Sequence, residues 1–534
     1  MTSKKHPEHY ILPLFITLAL PLLFLAFNQT GTSTYIAFIS SIIFPFCLYR
    51  LLKIKAFYFT LSSFPILMIS VIYTVLVLDY NSFITTGTWS AIFDSNTHES
   101  TEFITNTRLL TKGIVAIQII TYVFYLFFSF KIVNRSLIKK RRIIHIGLLL
   151  FFIIDFLVKG STQLVIPFRS TSELAQYIKA KRTEITLMDE KKNKHYNAIR
   201  TTEFNTNTPE TIVIVIGESL RKEHLTYYGY HKETTPYLNN ENLIVFNDAI
   251  SPANQTIHSL KRIFSLAEGT DETPYWKNPT FIKTFKEVGF NSYWISAQQI
   301  YDKYSSEVSY IARETDSVIF KDYSKYDHEI LKPYNKVLAD SNKKKLIFVH
   351  LMGSHALYTK RLPNKFVNYS KNKIDDFQQQ TINEYDDSVT YNDFILHQIL
   401  ESLKKIPGQK TFMMFSDHGE SLFDAEPHYF NHGSLKPAKG EYHVPLVLWF
   451  SEEYKNKHPN KIITLNNNTN KAIILSDLFH SLPSLFGIQF KRNINENNFF
   501  GNNYIPKKNR KVLNSGLHIL DYNMLPEGNI TLDK

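Results

Sequence analysis

The chain has 534 residues, with 60 lysines and arginines against 48 aspartates and glutamates, a formal net charge of +12. This length exceeds one small domain and fits about two or three structural units. The positive excess suits an anionic partner such as a membrane surface or a phosphate, but no basic run interleaved with aromatics marks a nucleic-acid surface. Cys47 is the only cysteine, which excludes a disulfide within the chain.

Five apolar runs precede residue 160, at 10–27, 34–52, 57–78, 113–130 and 143–158. A helix needs about 20 residues to cross the hydrocarbon layer, and all but the short fifth run come close to that. They are apolar on all faces, whereas a soluble core helix is apolar on one. Aromatic residues make up 14% of the chain, a share that fits rings placed at membrane interfaces. The first run is too long for a signal peptide and no small-residue cleavage site follows it. Lys4 and Lys5 precede the first run. Arg50, Lys53 and Lys55 follow the second, and Lys139, Lys140, Arg141 and Arg142 follow the fourth. The other loops are almost free of positive charge, so the N-terminus is expected in the cytoplasm. Five crossings over residues 1–160 then export everything beyond, into the periplasm if the cell is bacterial. Residues 161–205 read as a connector, helical near its start, able to lie on anionic lipid or to serve as a solvated linker.

From residue 206 to 534 the pattern is that of an α/β domain. The runs "TIVIVIGES", "KLIFVHLMGSH", "TFMMFSDHGE" and "VPLVLWF" are short and continuously apolar, as central parallel strands buried on both faces are. Helical stretches such as "NPTFIKTFKEVGF" and "NDFILHQILESLKKI" lie between them. The alternation predicts a doubly wound fold, whose ligands bind beyond the carboxyl ends of the strands.

Metal-ligating groups collect at those ends. The first strand ends on Glu218, the second on His355 and the third on Asp417 and His418, and "HYFNHGS" adds His428 and His432. Carboxylates and imidazoles arriving from separate strands suit a divalent ion of the zinc type. Between the first strand end and the next helix lies a segment rich in hydroxyls: Ser251, Thr256, Ser259 and Ser265. A hydroxyl at a helix N-terminus can be an ordinary cap. It can also face an anionic group held by the helix amides, and a metal beside it would make it a nucleophile.

These segments resemble the membrane-bound phosphoethanolamine transferases of Gram-negative bacteria, within the alkaline phosphatase superfamily. "IGESLRKEHLTYYGYHKETTPYL", "SPANQTIHSLKRIF", "HLMGSHALYTKR", "EYDDSVTYND", "SDHGESLF", and "NHG" followed by "HVPLVLW" stand in the family's order behind the five apolar runs. The resemblance implies a sulfatase-like domain with one or more zinc ions held by Glu218, Thr256, Asp417 and His418. Thr256 would be the nucleophile, and His355 and His432 would bind the donor phosphate or a second zinc. It further implies an inner-membrane, monomeric enzyme. Phosphatidylethanolamine would be the donor, and lipopolysaccharide core, lipid A or another envelope glycan the acceptor. Relatives that modify lipid A carry periplasmic disulfides, which this chain cannot form; together with "YWISAQQ" this makes it more similar to the branches that modify core sugars or other glycans. Sulfatases with a cysteine-derived nucleophile are set aside because Cys47 lies in an apolar run and no C-x-P-x-R motif is present. A phosphoglycerol transferase using phosphatidylglycerol, a phosphodiesterase and a degenerate membrane sensor are the other readings.

Overall fold

The computed structural model describes residues 12–19, 32–52, 56–80, 84–93, 101, 103–105, 107–129, 145–147, 166–191, 193–204, 207–298, 307–320, 325–424 and 429–527. The chain forms two compact units, one ending at Arg182 and one beginning at Thr183.

In the first unit the second, third and fourth apolar runs are helical, over Thr32–Leu52, Ala56–Ser62 with Phe64–Tyr80, and Leu109–Ser129. The third run is interrupted at Ser63. Pro65 enters the first turn of the following helix, where its missing N–H is tolerated. Leu109–Ser129 is, among the described residues, the helix long and apolar enough to cross a membrane. Its Leu110, Ile120, Phe124 and Phe127 side chains are exposed, the reverse of a soluble core helix. On its inner side, Gln118 Nε2 donates to Ser70 Oγ at 3.0 Å, and its Oε1 accepts from Thr74 at 3.0 Å. Such polar links are how apolar helices hold one another in lipid. The first run is helical over 12–19, and the fifth is described only at 145–147; the rest of both lies outside the described residues. The start of the connector is one helix, Ile166–Lys191.

The second unit is built on a seven-stranded sheet. Its strands are β1 (Glu210–Gly217), β2 (Ile244–Val245), β3 (Asn291–Ser296), β4 (Ser317–Phe320), β5 (Lys344–His350), β6 (Gln409–Ser416) and β7 (Leu446–Phe450), in the order β2-β7-β6-β1-β5-β3-β4. Both faces are covered. Ile212, Ile214 and Ile216 of β1 join Leu260, Ile263 and Phe264 of helix α1 (Thr256–Phe264) on one side. Val213 and Val215 join Tyr334 and Val337 of α2 (Leu331–Leu338) and Val389, Leu396 and Ile399 of α3 (Phe377–Lys404) on the other. Burying each such side chain contributes about 1.5–3 kcal/mol. Double coverage is also why β1 reads as an unbroken apolar run.

Strands β6, β1, β5, β3 and β4 are parallel, as expected. The run "VPLVLWF" is not: β7 pairs antiparallel with β6 and with β2. A parallel return needs a crossover of a dozen or more residues, usually a helix. The chain from β6 to β7 instead turns back through the short hairpin of Ser421–Leu422 and Phe430–Asn431 at the same end of the sheet. Apolarity reports burial and carries no strand direction.

Helix α3 contributes a pH-sensitive tie. Asp393 accepts the Tyr237 amide at 2.7 Å and the Leu238 amide at 3.2 Å, and burial pushes its carboxyl up to about 7. The folded chain therefore keeps a proton that the unfolded chain gives up near pH 4, so this group's contribution to stability declines as pH rises from about 4 to about 7. Asp393→Asn retains an oxygen acceptor and removes the ionisation. The variant is expected to lose part of that decline in thermal unfolding of the full chain. An unchanged slope would show that another group titrates.

Candidate active site

Register brings the predicted groups together. Gly217 of β1 lies opposite Ser416 of β6, so Glu218 and Asp417–His418 leave neighbouring strands side by side, all fully buried. Thr256 is the first residue of α1 and follows an extended Gln255. Its hydroxyl does not cap the helix; it donates to Glu218 Oε2 at 3.1 Å and lies 3.3 Å from His418 Nε2. Ser251 and Ser259 are spoken for, since both hydroxyls donate to the Asp417 carbonyl. Thr256 is the hydroxyl from this segment that reaches the cluster.

His418 has a defined tautomer. Its Nδ1 lies 2.8 Å from the Gly419 carbonyl, which can only accept, so Nδ1 carries hydrogen and Nε2 holds the lone pair of a neutral ring. That Nε2 faces Glu218 Oε1 at 3.2 Å, Asp417 Oδ2 at 3.4 Å and the Thr256 hydroxyl. Asp417 Oδ2 is buried with no hydrogen bond. Acceptors converging this closely in a dry site repel one another unless a cation lies among them. In its absence a proton serves: burial disfavours the imidazolium, but Asp417 and Glu218 outweigh it and push His418 up to about 10. Burial and the Glu218 charge push Asp417 up to about 7, while His418 draws Glu218 well below the usual carboxylate range against the effect of burial. The donor set of oxygens and imidazole nitrogen fits zinc.

His432 joins this group, since ligand atoms of Glu218, His418 and His432 lie within 4.8 Å of one another. Burial and neighbouring His418 lower its imidazolium to about 3, so the ring is neutral. Its Nδ1 lies 2.8 Å from Glu420 Oε2, and Tyr358 donates to the other Glu420 oxygen at 2.6 Å. His355 stands further out, its ring centre 5.7 Å from that of His432. Arg361, which has only donors, reaches His355 Nδ1 at 3.1 Å, which places the ring's hydrogen on Nε2. His428 lies outside the described residues.

Several residues in the site escaped the sequence reading. Gln298, just past β3, donates to Glu218 Oε2 at 3.0 Å. Ser219 has φ of +56°, a left-handed backbone, and its hydroxyl donates to Glu218 Oε1 at 2.9 Å. Strain of this kind is kept where surroundings enforce it, and here Tyr385 donates to the Ser219 carbonyl at 2.7 Å and accepts the Arg221 amide at 2.9 Å. "EYDDSVTYND" on α3 is thus the clasp for the loop after β1: Asp386 pairs with His224 at 2.6 Å and Lys232 at 2.6 Å, and Asp393 holds Tyr237 and Leu238. Gly419 is required by close approach: a Cβ there would lie 2.1 Å from the Gly440 carbonyl oxygen. No helix starts at Glu420 or Ser421; Ser421–Leu422 is a strand of the hairpin.

A threonine hydroxyl, carboxylates and imidazoles gathered at the strand ends of one sheet make a candidate metal-dependent site. The chain belongs to the sulfatase family of the alkaline phosphatase superfamily, the family model matching residues 210–488. Among curated proteins it is 29% identical over 302 residues to the phosphoethanolamine transferase EptC of Escherichia coli (strain K12), covering 53% of this chain and 52% of the relative. The chain spans about half the length of the curated relatives it matches. Among solved structures, the C-terminal periplasmic domain of EcEptC from Escherichia coli, in complex with zinc, matches 63% of this chain and 98% of its own, with TM-score 0.58 and 27% identity. The integral membrane protein EptA from Neisseria meningitidis matches 91% of this chain and 97% of its own, with TM-score 0.65 at 18% identity, a likeness of fold.

Proposed function

We propose that the chain is a zinc-dependent, membrane-bound phosphoethanolamine transferase with Thr256 as nucleophile. The observation that carries this reading is the Thr256 hydroxyl placed 3.1 Å from Glu218 Oε2 and 3.3 Å from His418 Nε2. Glu218, Thr256, Asp417 and His418 would hold the metal, which when bound supplies positive charge for the phosphoryl oxygens and lowers the hydroxyl pKa. Thr256, whose hydroxyl points at Glu218 Oε2, gives up its hydrogen as a proton. The threonine oxygen then bonds to phosphorus of phosphatidylethanolamine as the phosphorus–oxygen bond to diacylglycerol breaks, and the departing oxygen takes up a proton. His355, with its hydrogen on Nε2, and His432 hold the donor phosphate. In the second half an acceptor oxygen displaces Thr256, whose oxygen regains a proton as the acceptor gives one up, leaving phosphoethanolamine on lipopolysaccharide core, lipid A or another envelope glycan. Five helices over residues 1–160 anchor the enzyme in the inner membrane. The 161–205 connector and the 206–534 catalytic domain then lie in the periplasm as a monomer, where both lipid donor and glycan acceptor are within reach.

The test is mass spectrometry of envelope glycolipids from cells with and without the protein. One added phosphoethanolamine on a glycolipid is expected. A phosphoglycerol addition in its place would assign phosphatidylglycerol as donor, and an unchanged profile would overturn transfer to an envelope glycolipid.

A further inference from the structure

His432 reaches the metal-type group from a strained tip. Asn431 has φ of +94° and Gly433 of +78°, so left-handed backbone stands on both sides of it. For a residue with a side chain that conformation is costly, and it persists where surroundings enforce it. The tip also lies against the segment that carries the nucleophile. A Cβ on Gly433 would fall 3.0 Å from Gln255 Nε2, and Gln255 directly precedes Thr256. The enforcing contacts converge on Glu441, which is fully buried. Tyr429, three residues before His432, donates its hydroxyl to Glu441 Oε1. The Ser434 amide, two residues after His432, donates to Oε2 at 3.1 Å. Asn254, two residues before Thr256, donates through Nδ2 to the same Oε2 at 2.7 Å and to the Ser434 carbonyl at 3.0 Å. One carboxylate thus grips the tip on both sides of His432 and ties it to the nucleophile segment. A buried carboxylate is costly unless its oxygens are satisfied, and these three donors satisfy both oxygens. The backbone beneath is fixed in turn: just after His418, the Gly419 amide donates to the Glu441 carbonyl at 2.9 Å and the Glu420 amide to the Gly440 carbonyl at 3.1 Å. The nucleophile segment has further anchors of its own, Ser251 and Ser259 on the Asp417 carbonyl. The element that depends on the Glu441 side chain is therefore the tip.

We infer that Glu441 is a positioning residue that sets His432 relative to Thr256, and so fixes the gap in which the donor phosphate is held for attack. The inference rests on the transferase reading. Glu441 touches no reacting atom and acts through His432. Its value to the reaction is geometric, since displacing a group that holds the substrate by about 1 Å costs about a hundredfold in rate.

Three measurements on the full chain test this. The first is the rate at which its intact mass gains phosphoethanolamine from phosphatidylethanolamine. Glu441→Leu removes every acceptor and is expected to slow that gain about a hundredfold. Glu441→Gln should stay within about fivefold of the parent, because its oxygen serves Asn254 and Ser434 while its amide faces Tyr429, whose hydroxyl can accept as well as donate. Equal losses in the two variants would overturn the inference. The second is a double variant. Added to His432→Ala, Glu441→Leu should slow the gain by less than about threefold more, since what it positions is already gone. Losses that multiply would place the role of Glu441 elsewhere and sink the inference. If Glu441→Leu does not fold, Tyr429→Phe frees one side of the tip and replaces it in the double variant, with an expected single loss of about tenfold. The third is hydrogen exchange over residues 429–435, which reports the hold without turnover. Exchange should be about tenfold faster in Glu441→Leu, or in Tyr429→Phe in its place, and at the parent rate in Glu441→Gln. Exchange at the parent rate in the leucine or phenylalanine variant overturns the inference whether or not the protein transfers phosphoethanolamine. A parent that gains no mass would count against the transferase reading alone, and the exchange would still decide whether Glu441 holds the tip.

Discussion

Thr256→Ala is expected to abolish transfer, by about four orders of magnitude or more, while leaving the protein folded. The expectation follows from how the nearby hydroxyls are used. Ser251 and Ser259 are buried and donate to the Asp417 carbonyl, so both hydroxyls are engaged away from the cluster. Ser219 donates to Glu218 Oε1 and sits on a strained backbone that Tyr385 fixes. Thr256 alone among these combines a place at the N-terminus of α1 with contact to both Glu218 and His418. Thr256→Ser keeps the hydroxyl and should retain activity within about tenfold. The direct measurement is the intact mass of the full chain incubated with phosphatidylethanolamine and no acceptor. The parent gains one phosphoethanolamine and the alanine variant gains none. Transfer by Thr256→Ala at the parent rate would sink the assignment and move attention to Ser259.

The chemistry of the site was legible in the sequence because ionisable groups are costly at the end of a buried strand and so stand out there. Glu218, Asp417 and His418 announce themselves in this way, and β1 and β6 lie adjacent, as that reading needs. What escaped has physical reasons. Gln298 is neutral and follows a strand whose apolar content marks only burial, so nothing local reveals that its amide reaches Glu218. The role of "EYDDSVTYND" depends on contacts about 160 residues away in sequence, between Tyr385 or Asp386 and the loop after β1. The direction of β7 is set by the connection before it, which a composition of buried residues does not encode. His432 was read as a ligand of the donor phosphate or of a second zinc, and its ring, centred 4.1 Å from that of His418, lies within the metal-type group of ligand atoms. Imidazole chemistry is the same in both roles, and only distance separates them.

Zinc is expected to raise the thermal stability of the metal-stripped full chain by several degrees. A ligand that binds only the folded state adds about 2.7 kcal/mol at a hundred times its Kd. The cluster supplies the reason for such binding, because Glu218, Asp417 and His418 Nε2 are brought together while buried, with one proton to offset their repulsion. A divalent cation takes the place of that proton on His418. Since the two carboxylates hold the imidazolium up to about 10, zinc competes with a proton throughout the neutral range. Its affinity should rise about tenfold per pH unit for each proton released, His418 giving up one throughout and Asp417 a second below about pH 7. The stabilisation is therefore larger at pH 8 than at pH 6, a sign that a nonspecific surface ion would not produce. Asp417→Asn and His418→Ala should each lose most of the shift, Thr256→Ala should keep most of it, and His355→Ala should keep all of it, because His355 lies outside the group of ligand atoms within 4.8 Å. Differential scanning fluorimetry with and without zinc at the two pH values decides the matter. A parent whose melting is indifferent to zinc, or an Asp417→Asn variant that responds as the parent does, would remove the metal from this site.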